Sequence, residues 1–216
     1  MSKIVLPKNL KTIGAAAFCE ANIGSIDLPD SIESLGEWAF SNAKIPSIEV
    51  PSKILHIPKR AFASCYIRSL RFRGSPKSIG EEAFSCCCLT YFEIPESVEY
   101  IGKGAFFFSS FEGVRLPRNL KRLGPGAFRK CHRLQSIALP PSIRYIPERA
   151  FYECEGLRAV ELSDSTFLIG EKAFERCVSL SRIDMGGSIR SIGACAFKGC
   201  RSLKSVRLPE TLRSVG

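Results

Sequence analysis

The stretch LPPSIRYIPERAFYECEGLRAVE, Leu139 to Glu161, is one period of a repeat that fills the chain. Its anchor is the dipeptide Ala150-Phe151. Ala-Phe recurs nine times, with the ring at Phe18, Phe40, Phe62, Phe84, Phe106, Phe128, Phe151, Phe174 and Phe197. The first five intervals are 22 residues and the last three are 23. A fixed period of this length identifies a stacked-repeat architecture before any element is assigned.

Each column around the phenylalanine has a physical reading. Five residues before it stands an aliphatic residue, from Ile13 and Leu35 to Ile169 and Ile192. The next residue is Gly in seven units and Pro at Pro58 and Pro147. Proline holds φ near −65°, so this column needs no positive φ. The sequence predicts a tight turn there that requires no N–H donor. Three residues after the phenylalanine comes a small residue, cysteine in six units and Ala21, Ala43 or Ser109 in the rest. Alternating segments such as SIDLP, SIEVP and SVRLP then end on proline, which reads as a short strand with one buried face. Counting KIVLP near the start, ten such strands are expected.

One strand per 22–23 residues cannot bury itself, but stacked units can. Residues 1–216 are therefore expected to form one solenoid of nine to ten repeats around a continuous core. The pattern reaches both ends without a polar cap, which predicts a piece of a longer protein or an end-on partner. The unit L-x-x-I-x-L-P-x-S-[IV]-x-x-I-G-x-x-A-F-x-x-C resembles the BspA-like class of leucine-rich repeats. That resemblance implies a right-handed curved superhelix, mainly β. It places a parallel sheet on the concave face and short 3-10, irregular or short-strand structure on the convex side. It also implies adhesion or protein–protein recognition rather than catalysis, and a cell-surface location.

The cysteines point another way on location. Six of the ten stack in one column, where buried thiols act as small hydrophobes. Parallel Cβ vectors suit disulfides poorly. Ten unpaired thiols favour a reducing compartment such as the cytoplasm. CCC at 86–88 and Cys131-His132 do not supply a tetrahedral zinc set. With His56 and His132 the only histidines, no nucleophile–base arrangement is visible, and neither an enzyme nor a cofactor is expected.

Three surfaces are candidates for binding. The central outward column of the strands includes Glu49, Arg71, Glu93, Arg115, Glu161, Asp184 and Arg207. Its neighbour is mostly serine, with Tyr91 and Arg182 as exceptions. Either this column satisfies itself as a charge ladder, Glu49 to Arg71 to Glu93 to Arg115, or it reads the charges of a protein ligand. The second surface is Phe107 and Phe108, whose columns elsewhere are mostly polar. They either pack over neighbouring loops or form an apolar patch for a partner or another copy of the chain. The third is a basic edge. The net charge is +10, and residues 118–216 carry 18 Lys/Arg against 9 Asp/Glu. Arg118, Lys121, Arg122, Arg144, Arg190 and Arg213 form a stripe that suits an acidic protein or another polyanion. No aromatic stacking positions are expected beside it. The principal reading is a protein-binding scaffold or adhesin; the alternative is a polyanion-binding module.

Overall fold

The computed structural model describes residues 2–89 and 92–216, so Tyr91 lies outside the described residues. The chain is a parallel β-solenoid of about ten turns, with no helix among the described residues. Two kinds of strand alternate along it. The longer ones are β1 (Ser2–Val5), β3 (Ile23–Asp27), β5 (Ser47–Val50), β7 (Ser69–Phe72), β11 (Ser136–Ala138), β13 (Ala159–Glu161) and β15 (Arg182–Asp184). The others are two-residue strands: β2 (Thr12–Ile13), β4 (Ser34–Leu35), β6 (His56–Ile57), β8 (Ser78–Ile79), β9 (Tyr100–Ile101), β10 (Arg122–Leu123), β12 (Tyr145–Ile146), β14 (Leu168–Ile169), β16 (Ser191–Ile192) and β17 (Ser214–Val215).

The longer strands pair in register within three groups, β1–β3, β5–β7 and β11–β13–β15. Seven of the ten expected strands are present among the described residues. Residues 92–95, 114–117 and 203–209 are not in paired strands. The first of these carries Phe92 in the aliphatic column. Its ring lies 5.2 Å from that of Phe84 and 5.5 Å from that of Phe106. The third is the last turn, where Leu208 stays 49% exposed.

The core is a column of nine phenylalanine rings, each 5.3–5.8 Å from the next with planes within 13°. Such offset stacking adds about 0.5–1.5 kcal/mol per pair to area burial. The Ala-Phe segment that carries each ring is itself a hydrogen-bonded ladder. In the first turn, the Ala16, Phe18 and Glu20 N–H groups donate to Glu37, Ala39 and Ser41 of the next turn (2.9, 2.8 and 2.8 Å). The intervening Cys19 and Ala21 N–H groups close turns onto Ala16 and Phe18. This alternation puts the residues two before and two after every phenylalanine at positive φ. Most of them are not glycine: Trp38, Arg60, Glu82, Phe108, Lys130 and Arg176 are examples. Left-handed backbone costs a non-glycine residue about 1–2 kcal/mol. The inter-turn bonds and the buried Ala-Phe pair offset that strain.

The Gly/Pro column corrects an expectation. Its glycines avoid positive φ, as the prolines imply. They do, however, use their N–H groups. Gly80 and Gly102 donate to Ile57 and Ile79 of the preceding turn, both at 2.8 Å. The turns also approach closely here: a Cβ on Gly80 would lie 2.7 Å from the Ile57 oxygen. Proline has no N–H and carries a ring. The short-strand ladder accordingly breaks into β2–β4, β6–β8–β9–β10 and β12–β14–β16–β17. Both breaks fall where proline follows the strand, at Ile57-Pro58 and Ile146-Pro147.

Candidate binding surfaces

On the long-strand face, the predicted charge ladder is not formed. Glu49 and Arg71 are in register on β5 and β7, yet Glu49 pairs with Arg73 (3.7 Å). Arg73 stands where most units have the strand-ending proline. It reaches back over two turns to Asp30 (3.3 Å), Asp27 (3.8 Å) and the Leu28 carbonyl. Four acceptors outcompete one neighbour across the ladder, and the sequence signal for this was a lone cation in a proline column. Arg115 pairs with Glu96 (3.4 Å) rather than Glu93. Among the described residues, Arg71, Glu93, Arg182 and Arg207 have no ion-pair partner within 4.0 Å. Glu161 and Asp184 lie side by side in register on β13 and β15, like charges on adjacent strands. A groove of about 450 Å³ opens beside Arg115, Arg118, Ser136 and Ala138. A second, of about 470 Å³, lies between Arg182, Asp184, Arg207 and Glu210.

Phe107 and Phe108 divide between the two expectations. Phe107 is half-buried beneath the Arg129 guanidinium, which sits 5.4 Å from its ring and 5.3 Å from Tyr152 on the next turn. Phe108 is 49% exposed and meets His132 edge to face at 5.3 Å. Phe106 and Phe111 are fully buried. The apolar patch is thus one ring wide, rimmed by a cation and an imidazole.

The basic edge runs along the short-strand face and has two characters. Toward the N-terminus its cations are neutralised. Glu33 holds Lys11 (2.8 Å) and Lys53 (3.1 Å), and Glu99 holds Lys121 (2.6 Å) and Lys77 (3.8 Å). The Lys121 ammonium, hydrogen-bonded to Glu99, keeps that carboxyl below its ordinary range. Further along, Arg122, Arg144, Arg190 and Arg213 are exposed, with no ion-pair partner within 4.0 Å among the described residues. The expectation that no aromatics accompany the stripe is corrected. Tyr100, Tyr145 and Phe167 lie in its columns, 43, 41 and 39% exposed. Phe167 stands in the column of Arg144 and Arg190, and Tyr100 and Tyr145 alternate with Arg122 in the column beside it.

The sequence matches the model of the BspA type leucine rich repeat region in six copies, over residues 1–111 and 100–216. The chain belongs to the BspA-type leucine-rich repeat family. Among solved structures, it is similar to a leucine-rich repeat protein from Bacteroides ovatus. The two are 27% identical, with a TM-score of 0.66, over 98% of this chain and 67% of that one. It is also similar to the T. pallidum leucine-rich repeat protein, at 27% identity and a TM-score of 0.68, over 74% of this chain and 78% of that one. The pneumococcal vaccine antigen PcpA shares the fold at 22% identity and a TM-score of 0.71; the chain spans 57% of that protein. No protein with a curated function matches significantly.

In this BspA-type chain the small column is a line of hydrogen bonds. The thiols of Cys65, Cys87, Cys131, Cys154, Cys177 and Cys200 each point at the phenylalanine carbonyl of the preceding turn, at 2.6–3.1 Å. Ser109 makes the same bond to Phe84 at 2.9 Å. Burial pushes the Cys65 thiol up to about 12 and Cys200 to about 11, and raises Cys87 and Cys154 further from reactivity. A thiolate nucleophile or metal ligand is disfavoured at such sites. No group of His, Cys, Asp or Glu suited to a metal ion occurs among the described residues. Nor is any helix among them long and apolar enough to cross a membrane.

Proposed function

We propose that the chain is a non-enzymatic recognition module that binds another protein through its long-strand face. The observation that carries this reading is the diversion of Glu49 to Arg73. It leaves Arg71, in register with Glu49 on β7, without an ion-pair partner among the described residues. Ser47, Ser69, Ser136 and Ala159 flank the charged column, so a partner's side chains can reach the backbone level. Unpaired Arg71, Glu93, Arg182 and Arg207, with Arg115 in its exposed pair, give the face an alternating charge pattern. Such a pattern selects a complementary protein and sets its register more than it sets raw affinity. Adhesion, at a surface or between cells, is one use of such a module.

The test is affinity capture with the folded chain, compared with Arg71→Glu/Arg115→Glu. A protein retained by the parent and lost with this variant, but kept by Arg144→Glu on the other face, supports the reading. Equal capture by all three chains overturns it.

A further inference from the structure

We propose that the short-strand face of the last four turns binds single-stranded nucleic acid. The geometry begins with the backbone. The Phe167 N–H donates to Arg144, Arg190 to Phe167, and Arg213 to Arg190, each at 2.8 Å. These bonds lock Arg144, Phe167, Arg190 and Arg213 into one column, each about 4.8 Å from the next. Tyr145 stands beside Arg144 on β12, and Tyr145 and Phe167 are 41% and 39% exposed.

The guanidinium groups are free to act. Arg144, Arg190 and Arg213 have no ion-pair partner within 4.0 Å among the described residues. Two carboxylates of the same turns are held by other cations: Glu148 pairs with Arg149 (3.8 Å) and Glu171 with Lys172 (2.7 Å). The equivalent column in the earlier turns is neutralised by Glu33 and Glu99. Repetition of the fold therefore does not by itself produce this arrangement.

Cations alone would suit any polyanion. The rings select among them. An acidic peptide or a sulfated polysaccharide gains less than a nucleobase from an exposed phenyl ring set between two arginines in one column. A nucleobase stacks there while its flanking phosphates meet Arg144 and Arg190, the combination that sequence-tolerant single-strand binders use. The column spans three steps, enough for about three or four nucleotides at the stacked spacing. The rigid backbone holds the site in its binding shape before the ligand arrives.

The experiment is fluorescence anisotropy with a labelled mixed-sequence 12-mer of single-stranded DNA, from 20 to 200 mM salt. The parent chain should bind with an affinity that falls as salt rises. Replacing Arg144 and Arg190 by Ala should lower the salt slope by about 1.4, or roughly 0.7 per cation. Phe167→Ala should weaken binding about 5- to 100-fold and leave the slope unchanged. Phe167→Tyr should bind like the parent. Phe167→Leu, which keeps apolar volume without a stacking face, replaces the alanine variant if that one melts early. Undetectable binding at 20 mM salt overturns the proposal. So does parental affinity in both ring-removing variants, or an equal loss of heparin binding on removing the ring.

Discussion

Where a turn has 22 residues, the chain returns to the long-strand sheet through one residue; where it has 23, it takes two. In the first three of these turns the single residue (Asn22, Lys44, Tyr66) is bridged to the neighbouring turn. The Lys44 and Tyr66 N–H groups donate to Ala21 and Ala43 (2.9 and 3.0 Å), and their carbonyls accept from Ile23 and Ile45 (2.9 and 3.1 Å). The two-residue return closes on itself instead. The Leu134, Leu157 and Leu180 N–H groups bond back to Cys131, Cys154 and Cys177 at 3.0–3.2 Å. Against these bridged turns, one extra residue replaces the bridge between turns with a turn within each unit. The hydrophobic columns keep their places, since Ile45 and Leu134 are both fully buried. The same two regions differ in charge: Glu33 and Glu99 quiet the basic edge of the first, and the second has no equivalent. Insertions in a solenoid are absorbed at the return, and they leave the ladders free to diverge in surface chemistry.

The sharpest way to break this comparison is to lengthen a short return. A glycine inserted after Tyr66 removes two inter-turn bonds at once. Urea denaturation should show a loss of about 1–3 kcal/mol, at about 0.5–1.5 kcal/mol per bond. The same glycine between His132 and Arg133 enters a turn already closed within its unit and should cost less than half as much. Equal losses at the two sites would mean that the bridge bonds contribute nothing particular to the 22-residue turns.

A smaller effect is expected where the short-strand ladder breaks. Pro147→Gly supplies the missing N–H opposite the Leu123 carbonyl and removes the ring that holds the turns apart. The new bond contributes about 1 kcal/mol, offset in part by about 0.4–1 kcal/mol from the more flexible unfolded chain. The clearer readout is hydrogen exchange: the amide at position 147 and those of β12 should gain protection. An amide that stays unprotected would mean that something other than proline separates β10 from β12.

The smallest effect should come from Glu99→Gln. Its ion pairs with Lys77 and Lys121 lie at the surface, where such bridges contribute little, so the melting temperature at pH 7 should stay within about 1–2 °C. The folded Glu99 carboxyl titrates below its reference of 4.5, so its contribution is present above that value. It is lost as the pH falls through the lowered value. Parent and variant should therefore become indistinguishable in acid. A difference that persists at pH 2 would mean that the glutamine disturbs packing rather than charge.

The recurrence of Ala-Phe, of the aliphatic residue before it and of the small residue after it determined a parallel solenoid with a phenylalanine core. Those columns are legible because burial repeats identically in every turn. Candidate surfaces were legible only as columns. The sequence placed Arg144, Arg190 and Arg213 on one edge, and Glu49 opposite Arg71. It could not tell which carboxylate each cation would take. Arg73 reaches across two turns because long side chains choose among all neighbours in space. The left-handed residues were hidden for a related reason. Bonds between turns, rather than glycine or asparagine, hold Trp38 and Phe108 at positive φ. Column periodicity is a property of one unit repeated, and the sequence carries it in full. Ion pairing, ladder breaks at Pro58 and Pro147, and backbone strain depend on how one unit meets the next. Only the stacked structure decides those, because their energies arise between turns.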